Sequence, residues 1–200
     1  MTHNESCYDY YLNTVFPAIA PTKLLREFQS IVPSASLLIE DNLQQFYDTI
    51  ASDSPITRAH QQQLDTVKTE AFALIAITDA VTNYGKKVNP FKSIKPSRRD
   101  LAISDRLQQL SEYDEIFSLY LNFELPSRTG ESFFSSLRGD IKGTLSHAMI
   151  TSSLALALLA DENPDRKTLH EVAEGNLLVF KRFRPMIDAA AEFERQQFGE

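Results

Sequence analysis

The chain has 200 residues, a single cysteine, no tryptophan and a formal net charge of −7. That length suits one domain with a full hydrophobic core, and the acidic balance disfavours binding nucleic acid over the whole surface. Cys7 alone cannot form an intrachain disulfide, and the polar, acidic first residues lack the pattern of a secretion signal, so a cytoplasmic location is expected.

Only six glycines occur, and no segment alternates apolar and polar residues with period two. Strands therefore have little support, whereas helical spacing is abundant. The fold expected is all-α: one domain of about seven helices around a central apolar helix, with residues 1–20 as a loosely docked segment. A short helix is expected over 22–31, bounded by Pro21 and Pro33. The next, over 36–51, puts Ile39, Leu43, Phe46 and Ile50 on one face.

The third helix is expected over 54–85. Ser54-Pro55 offers a capping hydroxyl and a proline in the first turn, and Gly85 offers a stop. Within it Leu64, Val67, Ala71, Leu74, Thr78 and Val81 recur at alternating spacings of three and four. Such a seam can pack inside a bundle or between two copies, so homodimerisation is an expectation. A loop over 85–96 leads to a helix capped by Ser97, with Ile103, Leu107, Leu110, Phe117 and Leu121 inward, ended by Pro126.

Residues 132–140 begin a segment interrupted by Gly139 and Gly143. After it comes the central rod, 144–160, which contains no Asp, Glu, Lys or Arg. Without a charged stripe the rod is expected to be wrapped by other helices, and it is short of the roughly 20 residues of a membrane span. Asn163-Pro164 opens the last region, with a helix over 166–183 and a break at Pro185 before 186–198.

Charge is polarised along the chain. Lys86, Lys87, Lys92, Lys95, Arg98 and Arg99 fall in one stretch without an acidic residue, leaving fourteen basic against twenty-seven acidic residues elsewhere. Phe91 and Tyr84 interleave with these cations. The segment 86–99, including Phe91, is the first candidate partner-binding surface. An acidic protein partner suits it better than a long polyanion, which the remaining charge would repel; pairing with the chain's own carboxylates is the other reading.

Metal and nucleophile signatures are missing. The four histidines are scattered, and no Cys pair, Glu-x-x-His, His-x-x-x-His or Gly-rich phosphate loop occurs, so no cofactor or metal is expected. His147, the one ionisable side chain of the rod, is a candidate for a small-ligand or cofactor pocket, or a core histidine bonded to a neighbour. The string His170-Glu171-Val172-Ala173-Glu174-Gly175-Asn176 resembles the core of the Fic motif of nucleotide-transferring enzymes. The resemblance implies that His170 deprotonates a target hydroxyl and that Glu174 holds Mg²⁺ against an ATP phosphate. The family's proline after the histidine is here Glu171, and its Gly-Arg after the asparagine is Leu177-Leu178. Read without the family, His170 and Glu174 sit one turn apart on a wet helix face. The expectation is a non-enzymatic binding or regulatory module that recognises a protein through a helical face and the basic loop. A Fic-like transferase and a His147 ligand pocket are the alternatives.

Overall fold

A computed structural model of the chain describes residues 3–98, 101–107, 109–161 and 164–199. Among them every regular element is helical: α1 (His3–Tyr10), α2 (Leu24–Ile31), α3 (Pro33–Ala51), α4 (Arg58–Val88), α5 (Leu101–Leu107), α6 (Tyr113–Leu119), α7 (Leu125–Ser127), α8 (Phe133–Leu159), α9 (Arg166–Phe180) and α10 (Phe183–Phe198). Seven of these have eight residues or more, so the all-α bundle is as expected. No described helix is long and apolar enough to cross a membrane.

The bundle is organised on an antiparallel pair, α4 and α8. Gly85 near the end of α4 meets Phe134 at the start of α8, Asp79 meets Arg138 and Lys142, and Leu64 shares a hydrophobic cluster with Ala155. A Cβ built on Gly85 would lie 2.3 Å from the Phe134 ring, so only glycine admits this approach. Gly85 is thus a packing residue, where a helix stop was expected. The helix runs three residues further and ends at Asn89, whose N–H donates to the Gly85 carbonyl at 2.7 Å.

The start of α4 also differs from the expected Ser54-Pro55. Thr57 caps it, and His60 in the first turn accepts from the Thr57 N–H through Nδ1 at 2.9 Å, a capping box with histidine in the acidic residue's place. Leu64, Val67, Ala71, Leu74, Thr78 and Val81 are all buried inside the bundle. The regular seam is consumed within one chain, so it offers nothing to a second copy.

Expected interruptions at Gly139 and Gly143 do not occur; both lie inside the continuous α8. Its apolar second half is covered on some sides only, with Ile150 68% and Leu154 47% exposed. Alanine, serine and threonine tolerate water as readily as packing, so a run without charges does not by itself specify a fully wrapped helix. Between α4 and α8 the single helix expected from Ser97 to Pro126 is divided. Residues 109–112 separate α5 from α6; Leu121 is buried as expected, together with Ile116 and Tyr120, whereas Leu107, Leu110 and Phe117 are half-buried. The side chain of Ile103 lies outside the described residues. Pro185 falls in the first turn of α10, where a missing N–H costs nothing, and the chain turns at Lys181-Arg182 instead.

Polar contacts lock the remaining helices to this pair. Asn176 of α9 donates through Nδ2 to Ser152 Oγ of α8 at 3.1 Å. Glu194 of α10 is wholly buried and accepts from the N–H groups of Leu25 and Arg26, both at 3.0 Å, in the first turn of α2. That carboxylate caps a helix 169 residues away in sequence. Phe16 is buried and the Tyr8 hydroxyl accepts from Asn83 Nδ2 at 3.0 Å, so the N-terminal segment lies against α4.

Asp79 reports on the α4–α8 pair. Burial raises its pKa, but the hydrogen bonds and charges of Arg138 (2.7 Å) and Lys142 (3.1 Å) outweigh that and hold it below the ordinary aspartate value. A lowered folded pKa gives stability that is fully present above the unfolded value of about 4 and is lost as pH falls through the folded one. Asp79→Asn should therefore cost about 1 kcal/mol at pH 7, because both cations are partly solvated. The difference from the native chain should shrink below about pH 4 when urea midpoints are compared. A difference that stays constant down to pH 3 would show that the carboxylate's charge is not what matters.

Candidate functional site

A cleft of about 330 Å³ opens beside the N-terminal half of α8, bounded by α5, α6, α9 and α10. Its floor is Gly139 and Gly143, one helical turn apart and both open to solvent. A Cβ on either would have nothing within 4 Å, so empty space lies over both. Glycine in a helix interior costs about 1 kcal/mol relative to alanine, and here no packing within the chain explains the choice. The contrast with Gly85, where a ring fills the space, is sharp.

One wall is a buried polar network. The chain after α6 forms a π-turn, Tyr120–Glu124, in which the Leu125 N–H reaches back to the Tyr120 carbonyl. This turn delivers Tyr120 and Glu124 inward. The Tyr120 hydroxyl donates to Asp140 Oδ2, which also accepts from Arg128 Nη1. The second Arg128 nitrogen, Nη2, pairs with Glu124 Oε2 at 2.6 Å. Burial raises the Tyr120 pKa well above its ordinary value, and the Asp140 charge adds to the effect. Burial also raises the Asp140 pKa, against the opposing pull of Arg128 and of the Tyr120 hydroxyl. These four side chains satisfy one another and form a fixed wall.

His147, one turn beyond Gly143 on α8, and Arg182 also line the cleft. Arg182 Nε donates to the Leu110 carbonyl at 3.3 Å, holding the guanidinium beside the cleft. Burial lowers the His147 pKa, the Gly175 backbone partly opposes this, and the nearby Arg182 charge lowers it further. His147 is thus a neutral imidazole at pH 7, and its Nε2 is shielded from water without a hydrogen-bond partner. Ile116, Val179 and Met186 supply an apolar part of the lining.

Sequence reasoning reached His147 but not the network around it. Glu124 and Arg128 are four apart, the spacing of a surface ion pair, and nothing local links them to Asp140. Gly139 and Gly143 were legible only as helix weaknesses. Among the described residues no group of three His, Cys, Asp or Glu side chains converges as a metal site.

The other candidates are placed apart from the cleft. Phe91 is 0% exposed, stacked on Phe133 with ring centroids 4.0 Å apart and in contact with Phe134, Phe193 and Phe198. It anchors the basic segment from inside, so it offers no face to a partner. The segment is tied down by Gly130, whose φ of +95° suits glycine and whose N–H donates to the Phe91 carbonyl at 3.1 Å. Lys92 pairs with Glu131 at 3.2 Å. Lys86, Lys87, Lys95 and Arg98 are exposed and make no ion pair with a described residue, while Arg99 lies outside the described residues. The Fic-like string lies wholly within α9. His170 and Glu174 are 3.9 Å apart at a partly exposed surface, with Tyr47 against the His170 ring. Helix continues through Gly175 and Asn176, so no phosphate-cradling turn forms there, and the Asn176 amide is bonded to α8.

If the space above the cleft floor is truly open, Gly139→Ala and Gly143→Ala should each stabilise the chain by about 0.5–1 kcal/mol in urea unfolding. A loss of stability at either position would mean that protein atoms occupy that space. In comparisons with known proteins, no family model, curated protein or solved structure matches this chain.

Proposed function

We propose that this chain is a helical binding module whose ligand is a small molecule seated on Gly139 and Gly143. The single observation that supports this most is the pairing of two mid-helix glycines with an unfilled cleft. A chain that accepts roughly 1 kcal/mol of helix weakness at each of two adjacent turns, and leaves the space above them open, gains from what enters that space. The volume is at the lower end of small-molecule sites, and the lining is mainly apolar with a few convergent polar groups. Binding describes the site better than catalysis, because Tyr120, Asp140, Arg128 and Glu124 are engaged with one another.

A second reading concerns the basic segment. Lys86, Lys87, Lys95 and Arg98 stand exposed on a loop fixed by the buried Phe91 and by Gly130, and they make no ion pair with a described residue. That observation favours an acidic protein surface as a partner for this face. The two readings are compatible, since cleft and loop are separate.

A fragment library screened by ligand-observed NMR against the native chain and against Gly143→Leu tests the main reading. Cleft binders should lose at least tenfold in affinity when the leucine side chain fills the floor, while the circular dichroism spectrum stays helical. Binders that ignore the substitution, or a screen that returns none, would overturn it.

A further inference from the structure

The solvent side of α8 carries one continuous face, and that face is complementary to itself. At about 100° per residue, Gly139, Gly143, Ile150 and Leu154 fall within about 60° of the helix circumference, and all four are exposed. The glycines are holes, with nothing within 4 Å of where a Cβ would stand, and Ile150 and Leu154 are apolar knobs. Holes and knobs have the same spacing, one turn. Lys142 and His147 edge the face. The first is held by Asp79 of α4 and the second meets the Gly175 backbone in α9, so those helices flank it. Phe72, two turns before Asp79 on the same side of α4, adds a third exposed apolar side chain at the edge. From Gly143 to Ala160 the helix has no Asp, Glu, Lys or Arg.

We infer that this face is covered by a second copy of the chain, the two α8 helices antiparallel about a twofold axis between Ser146 and His147. In that register Ile150 of each copy covers Gly143 of the other and Leu154 covers Gly139, each pair being equidistant from the axis. A parallel pairing would instead set glycine on glycine and Ile150 on Ile150. Two observations favour a copy of this chain as the occupant. A chain of net charge −7 repels itself over most of its surface, but in this register Arg138, Asp140 and Lys142 each lie opposite uncharged residues of α8. The face is also large enough. It is about 27 Å long at 1.5 Å per residue and, with α4 and α9 about 8–10 Å away on either side, roughly 25 Å wide. That approaches the roughly 800 Å² per partner of a stable interface. The inference goes beyond the small-molecule reading and does not rest on it; a second copy and a cleft ligand would exclude each other from the same floor.

Sedimentation velocity of the full chain over roughly 10 µM to 1 mM should show reversible dimerisation. Ile150→Glu, at a position already in water, should leave the circular dichroism spectrum and urea midpoint unchanged and raise the dimer dissociation constant at least tenfold. In a Cys7→Ser background, Ser146→Cys beside the axis should form an intermolecular disulfide on mild oxidation. Ala157→Cys, about 30 Å from its counterpart in the other copy, should not. A chain that stays monomeric throughout, or a dimer indifferent to Ile150→Glu, would overturn the inference. Crosslinking through Ala157→Cys as readily as through Ser146→Cys would overturn the antiparallel register. None of these readouts uses a small molecule, so the dimer can fail while fragments still bind the cleft, and fragment binding can fail while the dimer stands.

Discussion

The structure depends on one close approach, that of the Phe134 ring to the backbone of α4 at Gly85. With no side chain at Gly85, α8 begins directly against the end of α4, and the two longest helices then run antiparallel. Phe134 belongs to a cluster with Phe91 and Phe133, so the same contact ties the basic segment and the turn before α8 to the frame. Further along the pair, Asp79 bridges to Arg138 and Lys142, and Leu64 and Ala155 meet at the far end. Each later contact inherits its register from the first.

Because α4 occupies one side of α8, the other sides are left for α9, α10 and the cleft. Asn176 fixes α9 against Ala148 and Ser152. Glu194 fixes α10 to the start of α2, at the cost of burying a carboxylate whose pKa burial raises despite two backbone hydrogen bonds. Between these attachments the π-turn at Tyr120–Glu124 points a tyrosine and a glutamate at α8 over the glycine floor. Buried, mutually bonded polar groups of this kind add little net stability, but they hold a geometry because any alternative leaves a charge unpaired. The result is a fixed polar wall beside an open glycine floor.

Much of the fold was legible in the sequence, and the reason is periodicity. Ile39, Leu43, Phe46 and Ile50 on α3, and the Leu64–Val81 seam on α4, were correctly assigned to the core because helical spacing maps directly onto a buried face. Glycines were misread, because identity alone does not show what surrounds a missing Cβ. Gly85 permits contact, Gly139 and Gly143 leave a space, and all three lie inside helices. Phe91 was misplaced for a related reason: cations flank it on the chain, but its ring turns inward to four other phenylalanines. The cleft itself was only hinted at by His147. Its walls come from Tyr120, Glu124, Arg128, Asp140 and Arg182, positions that no local spacing connects.

The most direct measurement is the unfolding free energy of Gly85→Ala beside that of Gly85→Ala in a Phe134→Leu background. On an open helix, alanine would stabilise by about 1 kcal/mol. Here the Phe134 ring should reverse the sign, giving a net loss of roughly 1–3 kcal/mol, and the smaller leucine should remove most of that loss. If Gly85→Ala stabilises the chain with Phe134 in place, the two helices do not meet as closely as the bundle and its cleft require.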